Sequence, residues 1–389
     1  MIGRHQLPVS STITARSLVR ALAPALGAGA GERAALDAEL RCAFDASAVA
    51  LVDSGTSALA MALRATTPVG GVVALPAYAC VDIGAAAILA QLRVRLYDVD
   101  PVTLSADLDS VARVLAAGTH SIVVSHLYGY PADVPRVAAI AAAHGTVVIE
   151  DAAQGAWGSL LGTRLGAFGP LAVLSFGRGK GMTGGGGGAL LTIGEPTSDA
   201  LVTPITHVAA PASSLRTLVV TAAQWALGRP ALYALPSAIP ALHLGETIYH
   251  QAHEPRAITS ASASLVRAAL ARADADLAVR RRHAELLERA AQKARDVTAI
   301  VPIAGAEPGY LRFPVRLAST RAGPRDRPAL GIVRGYPDTL AELAELRASL
   351  IGNEKLPGSR ELQRSLVTLP THALLDEHDL LKLSNWMVD

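Results

Sequence analysis

The sequence predicts an α/β protein: a large, mainly parallel sheet with helices on both faces, in a chain long enough for two domains. Three observations carry this expectation. Short β-rich apolar runs alternate with helical patterns through the first half of the chain, as in sheets whose strands are joined by helical crossovers. The chain has 389 residues, 51% of them hydrophobic, enough for a large core and two units. Residues able to do chemistry fall at the ends of the predicted strands, where open α/β sheets gather their ligands. We expect a large domain over residues 1–250 and a small domain over residues 251–389.

Taken in order, Leu18 to Ala30 is rich in Ala and Leu but is interrupted by Arg20 and flows into a helical pattern. It reads as helix and loop of the folded chain, not as a secretory leader. Glu32 to Asp45 places Ala35, Leu36, Leu40 and Phe44 at helical spacing, and Ala48 to Val52 reads as a strand. Asp53-Ser54-Gly55-Thr56-Ser57 then opens a helix over Ser57 to Arg64. Free N–H groups, the positive end of the helix dipole and neighbouring hydroxyls make such a turn an anion site. Plain N-capping uses the same residue types.

The pattern repeats. Gly71 to Leu75 is a strand, Pro76-Ala77-Tyr78 a turn, and Val81 to Leu92 a helix. A strand over Val94 to Val99 and a helix over Asp107 to Ala117 follow. Ser121 to Ser125 is a strand leading into His126-Leu127-Tyr128-Gly129-Tyr130-Pro131, and Val134 to His144 is a helix. The strand Thr146 to Ile149 ends at Glu150-Asp151-Ala152-Ala153-Gln154. Asp151 alone would ordinarily be a structural hydrogen-bonding group or a helix cap.

Leu171 to Leu174 reads as a buried strand, followed by Ser175, Phe176 and the single lysine Lys180 between glycines. Gly184 to Gly188 leads into a second apolar run, Ala189 to Thr192. Glycines in such a loop mean a tight turn or a close approach to a ligand. A phosphate-loop role for Lys180 fails, because no Ser or Thr follows it and Leu174 stands where the first glycine belongs. A solvated surface lysine and a Schiff-base lysine remain; the second needs a screened, partly apolar site in which the amine is neutral.

Leu215 to Leu235 is apolar but carries Arg216, Gln224, Arg229 and Pro230, too interrupted to span a membrane. Ser262 to Arg295 has helical periodicity, with Arg280, Arg281 and Arg282 on what reads as a solvated face. Leu311 to Leu317 and Gly331 to Val333 read as strands, and Thr339 to Ile351 and Asp376 to Trp386 as helices. Gly305 to Gly309 and Thr320 to Pro328 read as loops.

Composition excludes several classes. The net charge is +2 without a basic block, so nucleic acid has no electrostatic footprint. Two cysteines, Cys42 and Cys80, give neither a disulfide framework nor a metal-ligand spacing, and a reducing cytoplasm fits. The eleven histidines are scattered. What remains is a phosphate cradle, a strand-end carboxylate and a lone lysine, the set that pyridoxal 5'-phosphate requires.

In register along the chain, SGTSAL (Ser54 to Leu59), LPAY (Leu75 to Tyr78), YDVDPVTL (Tyr97 to Leu104), HLYGYP (His126 to Pro131), EDAAQ (Glu150 to Gln154) and SFGRGK (Ser175 to Lys180) resemble the DegT/DnrJ/StrS family of pyridoxal-phosphate aminotransferases. GIVRGYPDTL and SLVTLP (Ser365 to Pro370) resemble elements of that family's smaller domain. The resemblance implies the fold-type I aminotransferase architecture, a large α/β domain followed by a smaller C-terminal α+β domain, together with a homodimer with sites at the subunit interface and an amino-acid donor with a keto-sugar acceptor, often nucleotide-linked. It implies that Lys180 binds the cofactor and shuttles the proton, and that Asp151 pairs with the ring nitrogen. It further implies that Gln154 lies near the ring hydroxyl, that Thr56, Ser57 and Ser175 hold the phosphate, and that Ser54 and Gly55 belong to the phosphate-binding turn.

The chain departs from the pattern at three points. Cys80 stands where many relatives stack an aromatic, with Tyr78 nearby as a substitute. Gly186 replaces a loop glutamate. Leu244 to His250 stands where relatives carry a Gly-Tyr-Asn-Tyr-Arg-like segment. Two other readings follow from the same resemblance. One is a sugar dehydratase, against which Lys180 counts because such relatives carry histidine there. The other is a non-catalytic scaffold or sensor.

Overall fold

The computed structural model describes residues 4–155, 157–194, 208–239, 247–320 and 326–388. After two short helices, α1 (Ala15–Arg20) and α2 (Leu22–Ala25), comes α3 (Glu32–Phe44). The sheet is then built from β1 (Ala46–Val52), β2 (Val72–Pro76), β3 (Arg93–Tyr97), β4 (Ser121–Ser125) and β5 (Val147–Asp151). Between them run α4 (Gly55–Thr66), α5 (Val81–Leu89), α6 (Leu108–Ala116) and α7 (Val134–Ala143). A ribbon of β6 (Ser159–Leu160) and β7 (Thr163–Arg164) precedes β8 (Leu171–Ser175) and β9 (Gly188–Ile193).

The seven-stranded order is β1-β9-β8-β5-β4-β2-β3. Strands β2, β3, β4, β5 and β8 are parallel, and β9 runs antiparallel between β1 and β8. The apolar runs of β2 and β4 are buried throughout, as sheets covered on both faces require. One face is closed by α4 and α5, whose Ala58 to Leu63 and Ala86 with Ala87 pack against Val73, Leu75 and Val173. On the other, α6 and α7 bring Val111, Val114, Val134 and Val137 against Ile122, Val124 and Val148.

The small unit is a four-stranded antiparallel sheet in the order β10-β12-β14-β13, from β10 (Val297–Ala299), β12 (Phe313–Leu317), β13 (Val333–Arg334) and β14 (Leu366–Leu369). The helices Ala273–Ala291 and Glu377–Val388 pack on it through Leu287, Leu383 and Trp386. Between β10 and β12, β11 (Ala306–Glu307) pairs with β6 and ties the units together.

Two expected helices change. The pattern over Ser262 to Arg295 is two helices, Ser260–Leu270 and Ala273–Ala291, broken at Ala271 and Arg272 because they serve different cores. Ala263 and Val266 pack with Leu36 and Leu40 of α3, and Arg267 pairs with Glu32 and Glu39. Ala284 and Leu287 pack in the small unit. Since the stretch through Leu270 packs with the large sheet, we propose the division at Arg272 instead of after residue 250. Thr339 to Ile351 is not a helix: only a 3-10 turn, Ala344–Leu346, forms. Its leucines recur every third residue, and the segment instead covers α5 and the free edge of β3. Leu343 and Leu346 lie over Gly84, and Val94 exchanges backbone hydrogen bonds with Ser349 and Ile351.

The apolar stretch after Leu215 forms the helix Ser214–Leu227 and the short helix Ala234–Ser237. Among the described residues no helix is long and apolar enough to cross a membrane. Leu244 to Glu246 and residues 321–325 lie outside the described residues.

Candidate active site

Strands β4, β5 and β8 end side by side, and α4 and α5 begin beside them, so their termini enclose one cleft. Gly55, Thr56, Cys80, Asp151, Gln154, Ser175 and Lys180 line it together. At one end the first residues of α4 bring N–H groups that no intrahelical carbonyl uses, with the hydroxyls of Thr56 and Ser175. A Cβ on Gly55 would stand 2.8 Å from that of Ser175, and one on Gly188 would stand 2.4 Å from the Ser54 carbonyl oxygen. Glycine at both positions lets the α4 turn sit directly on the strand ends.

Asp151 is held from two sides: the Ser125 hydroxyl donates to its Oδ2 at 3.0 Å, and the Ala153 N–H to its Oδ1 at 3.1 Å. Its neighbour Glu150 points the other way and is fully buried. Glu150 accepts the N–H groups of Gly166 at 2.6 Å and Phe168 at 2.8 Å, and His126 Nε2 lies 2.8 Å away. His126 Nδ1 accepts the Ala132 N–H, so Nε2 is the nitrogen that donates to Glu150. The EDAAQ stretch thus has one carboxylate facing the cleft and one locking the loops behind it.

Three predicted site residues do not line this cleft. The Ser54 hydroxyl caps α4 by accepting the Ser57 N–H at 3.0 Å, and the Ser57 hydroxyl donates to Asp53 at 2.7 Å beneath the turn. Tyr78 is buried, and its hydroxyl accepts the Tyr336 N–H at 2.9 Å. Cys80 does face the cleft; burial, with Asp82 adding to it, pushes its thiol up to about 12, so it remains uncharged. Gly186 lies in open space, where an added Cβ meets nothing closer than 4.0 Å. Arg280 is buried and donates to the Gly309 carbonyl at 2.8 Å, and Arg281 pairs with Glu307. Both hold a loop, so the solvated-face reading of the cluster fails at Arg280, whose guanidinium is turned inward to a backbone carbonyl.

Sequence reasoning missed Tyr336. It lines the cleft, and its hydroxyl accepts from Gln154 Nε2 at 2.7 Å. It also missed a second cavity of about 490 Å³ that shares Gln154 and Tyr336 with the cleft. That cavity is walled by the N-terminal residues Leu7 to Val9, the helix Ser214–Leu227 and the start of the small sheet. The N-terminal segment is pinned across both units: Ser11 donates to the Lys180 carbonyl, His372 donates to the Leu7 carbonyl, and Arg4 pairs with Asp379. Among the described residues no group of three or more His, Cys, Asp or Glu side chains is placed to hold a metal ion.

The donor set fits pyridoxal phosphate: a helix start with hydroxyls for a phosphate, a twice-held carboxylate for a ring nitrogen, and a lysine beside both. Residues 28–210 match the sequence profile of the DegT/DnrJ/EryC1/StrS aminotransferase family. The L-glutamine:2-deoxy-scyllo-inosose aminotransferase of Streptomyces kanamyceticus is 36% identical over 140 residues, 36% of this chain and 33% of that one. The UDP-N-acetyl-3-dehydro-alpha-D-glucosamine 3-aminotransferase of Acidithiobacillus ferrooxidans is 32% identical over 143 residues, 36% of this chain and 39% of that one. The chain therefore spans little more than a third of the length of the curated relatives it matches. An aminotransferase structure from Psychrobacter cryohalolentis superposes with a TM-score of 0.75 at 22% identity, covering 97% of this chain and 96% of that one, which establishes the shared fold.

Proposed function

We propose that this chain, whose residues 28–210 match the DegT/DnrJ/EryC1/StrS aminotransferase family, is a member of that family and a pyridoxal-5'-phosphate-dependent aminotransferase. It moves an amino group from an amino acid, glutamate foremost, to a keto sugar. The observation that carries this reading is the convergence of Lys180, Asp151 and the start of α4 on one cleft. When bound, the cofactor supplies an electron sink for a carbanion next to the transferred nitrogen. Lys180 would hold the cofactor and move the proton at that carbon. Asp151, oriented by Ser125, would keep the ring nitrogen protonated, and Gln154 would face the ring hydroxyl. Gly55, Thr56 and Ser175 would take the phosphate on a turn set by Ser54 and Ser57, and Cys80 would lie against the ring where relatives place an aromatic.

Relatives named for amine transfer to an inosose and to a UDP-linked dehydro sugar support a keto-sugar acceptor, nucleotide-linked in the fullest form of the proposal. Surface-polysaccharide or secondary-metabolite synthesis would use such a product, in a cytoplasmic homodimer with sites at the subunit interface. The test is the visible absorbance of the chain supplied with pyridoxal phosphate, wild type beside Lys180→Ala. A borohydride-trappable band in the wild type alone, bleached on addition of L-glutamate, is the expected result. Absence of the band in folded wild-type protein would overturn the assignment and favour a scaffold or sensor.

A further inference from the structure

The described lining of the second cavity contains three arginines, Arg178, Arg312 and Arg334, and neither an aspartate nor a glutamate. Arg178 and Arg334 are exposed at its rim, whereas Arg312 is half-buried on the segment entering β12. Its guanidinium has no ion-pair partner among the described residues; Nη1 donates only to the Thr368 hydroxyl, at 3.3 Å. Its other neighbours are the hydroxyl-bearing rings of Tyr128, Tyr336 and Tyr233. The Tyr128 hydroxyl is itself buried, with the Tyr78 hydroxyl as its neighbour but no partner at full hydrogen-bond geometry, and that residue also lines the cavity. A withdrawn cation and an incompletely paired hydroxyl in one cavity are costly unless an incoming group answers both.

The backbone fixes this pair against the cofactor cleft. The Arg312 N–H donates to the Tyr128 carbonyl at 3.3 Å, and the Tyr128 N–H donates to Gln154 Oε1 at 2.9 Å. Gln154 lines both cleft and cavity. We infer that Arg312, with the Tyr128 hydroxyl beside it, binds the carboxylate of the amino donor and of the keto acid it becomes. Resting on the aminotransferase reading, this assignment follows from distance along the ligand. In an α-amino acid the carboxylate sits on the carbon that bears the reacting nitrogen, so its receptor must stand next to the cleft. A nucleotide's diphosphate is separated from the reacting carbon by atoms of the sugar ring, and the rim arginines suit it better. The planar guanidinium fork matches a carboxylate in two parallel hydrogen bonds.

The test uses the full chain loaded with pyridoxal phosphate and reads binding apart from turnover. Calorimetry with glutarate, which carries carboxylates but no transferable nitrogen, gives the affinity for the proposed group; UDP serves as the diphosphate probe. Arg312→Gln should weaken glutarate about ten- to a hundredfold and raise the KM for L-glutamate similarly. Arg312→Lys should recover part of the loss, and UDP affinity should be unchanged. Undetectable glutarate binding in the wild type would overturn the assignment, as would glutarate affinity that survives in Arg312→Gln. So would a loss confined to UDP. Loss of glutarate binding in Arg312→Gln, in a protein whose Lys180→Ala variant keeps the visible band, would uphold the carboxylate site while the aminotransferase reading fell.

Discussion

The cleft and the neighbouring cavity share two residues, yet they are built in opposite ways. The cleft is made of strand ends and helix starts held by short-range turns, with Glu150, His126 and the 166–169 loop bolted behind it. Segments from the N-terminus, the helix Ser214–Leu227 and the small sheet meet to form the cavity, and much of that helix is exposed, including Val219 and Val220. A scaffold of the first kind preserves one chemistry. A wall of the second kind can change its ligand without disturbing the fold, which is the usual division of labour between a site and its specificity.

Five substitutions or conditions would break or sharpen this contrast. Lys180→Ala should abolish turnover altogether, measured as loss of the glutamate half-reaction, while leaving the glutarate isotherm in place. Glu150→Ala should cost about 3–5 kcal/mol in urea unfolding, because it orphans buried N–H groups and His126 at once. Lowering the pH tests the cavity wall through His372. Burial holds that imidazole down at about 4, below the ordinary unfolded value of about 6.5. Its folded-state pKa is depressed, so its contribution is intact above the unfolded value and is lost as pH falls from about 6.5 through about 4. The whole loss is about 3 kcal/mol, and a thermal-melt series against a His372→Asn variant should show a flatter acid limb in the variant.

Smaller effects discriminate more finely. Tyr128→Phe removes an incompletely paired hydroxyl, so unfolding free energy should hold or rise by up to about 1 kcal/mol. Glutarate affinity should nonetheless fall a few-fold by calorimetry. Gly186→Ala enters open space and should leave the unfolding free energy within about 0.5 kcal/mol of wild type, measured by urea titration. A marked drop there would show that the glycine loop is more tightly framed than the cleft around it requires.

What the sequence made legible follows the same division. The strands, crossover helices and cleft residues from Gly55 to Lys180 are local signals: an apolar run, then small or polar residues at its end. Lys180, Asp151, Ser175 and Thr56 carry such signals, Gln154 enters only through the family resemblance, and all five share one cleft. Ser57 and Tyr78 carry the right side chains on the right turns, but their hydroxyls are spent on Asp53 and Tyr336. Sequence position gives no direction of a side chain within a turn. Arg312 carried no signal, because its meaning depends on the absence of an acid among residues scattered from Leu7 to Tyr336. The segment Thr339 to Ile351 misled because leucines every third residue suit a helix and a leucine-lined edge cover alike.

The strap formed by the N-terminal segment has a consequence in time. Arg4 reaches Asp379 across a sequence separation of 375 residues, while the central sheet uses no strand beyond β9, which ends at Ile193. Contacts of such separation close slowly. A nascent chain can therefore complete its large sheet well before the helix Glu377–Val388 exists to receive Arg4. Until then the lysine loop lacks the Ser11 contact and the cavity lacks one wall. Binding competence should accordingly lag behind compaction during refolding.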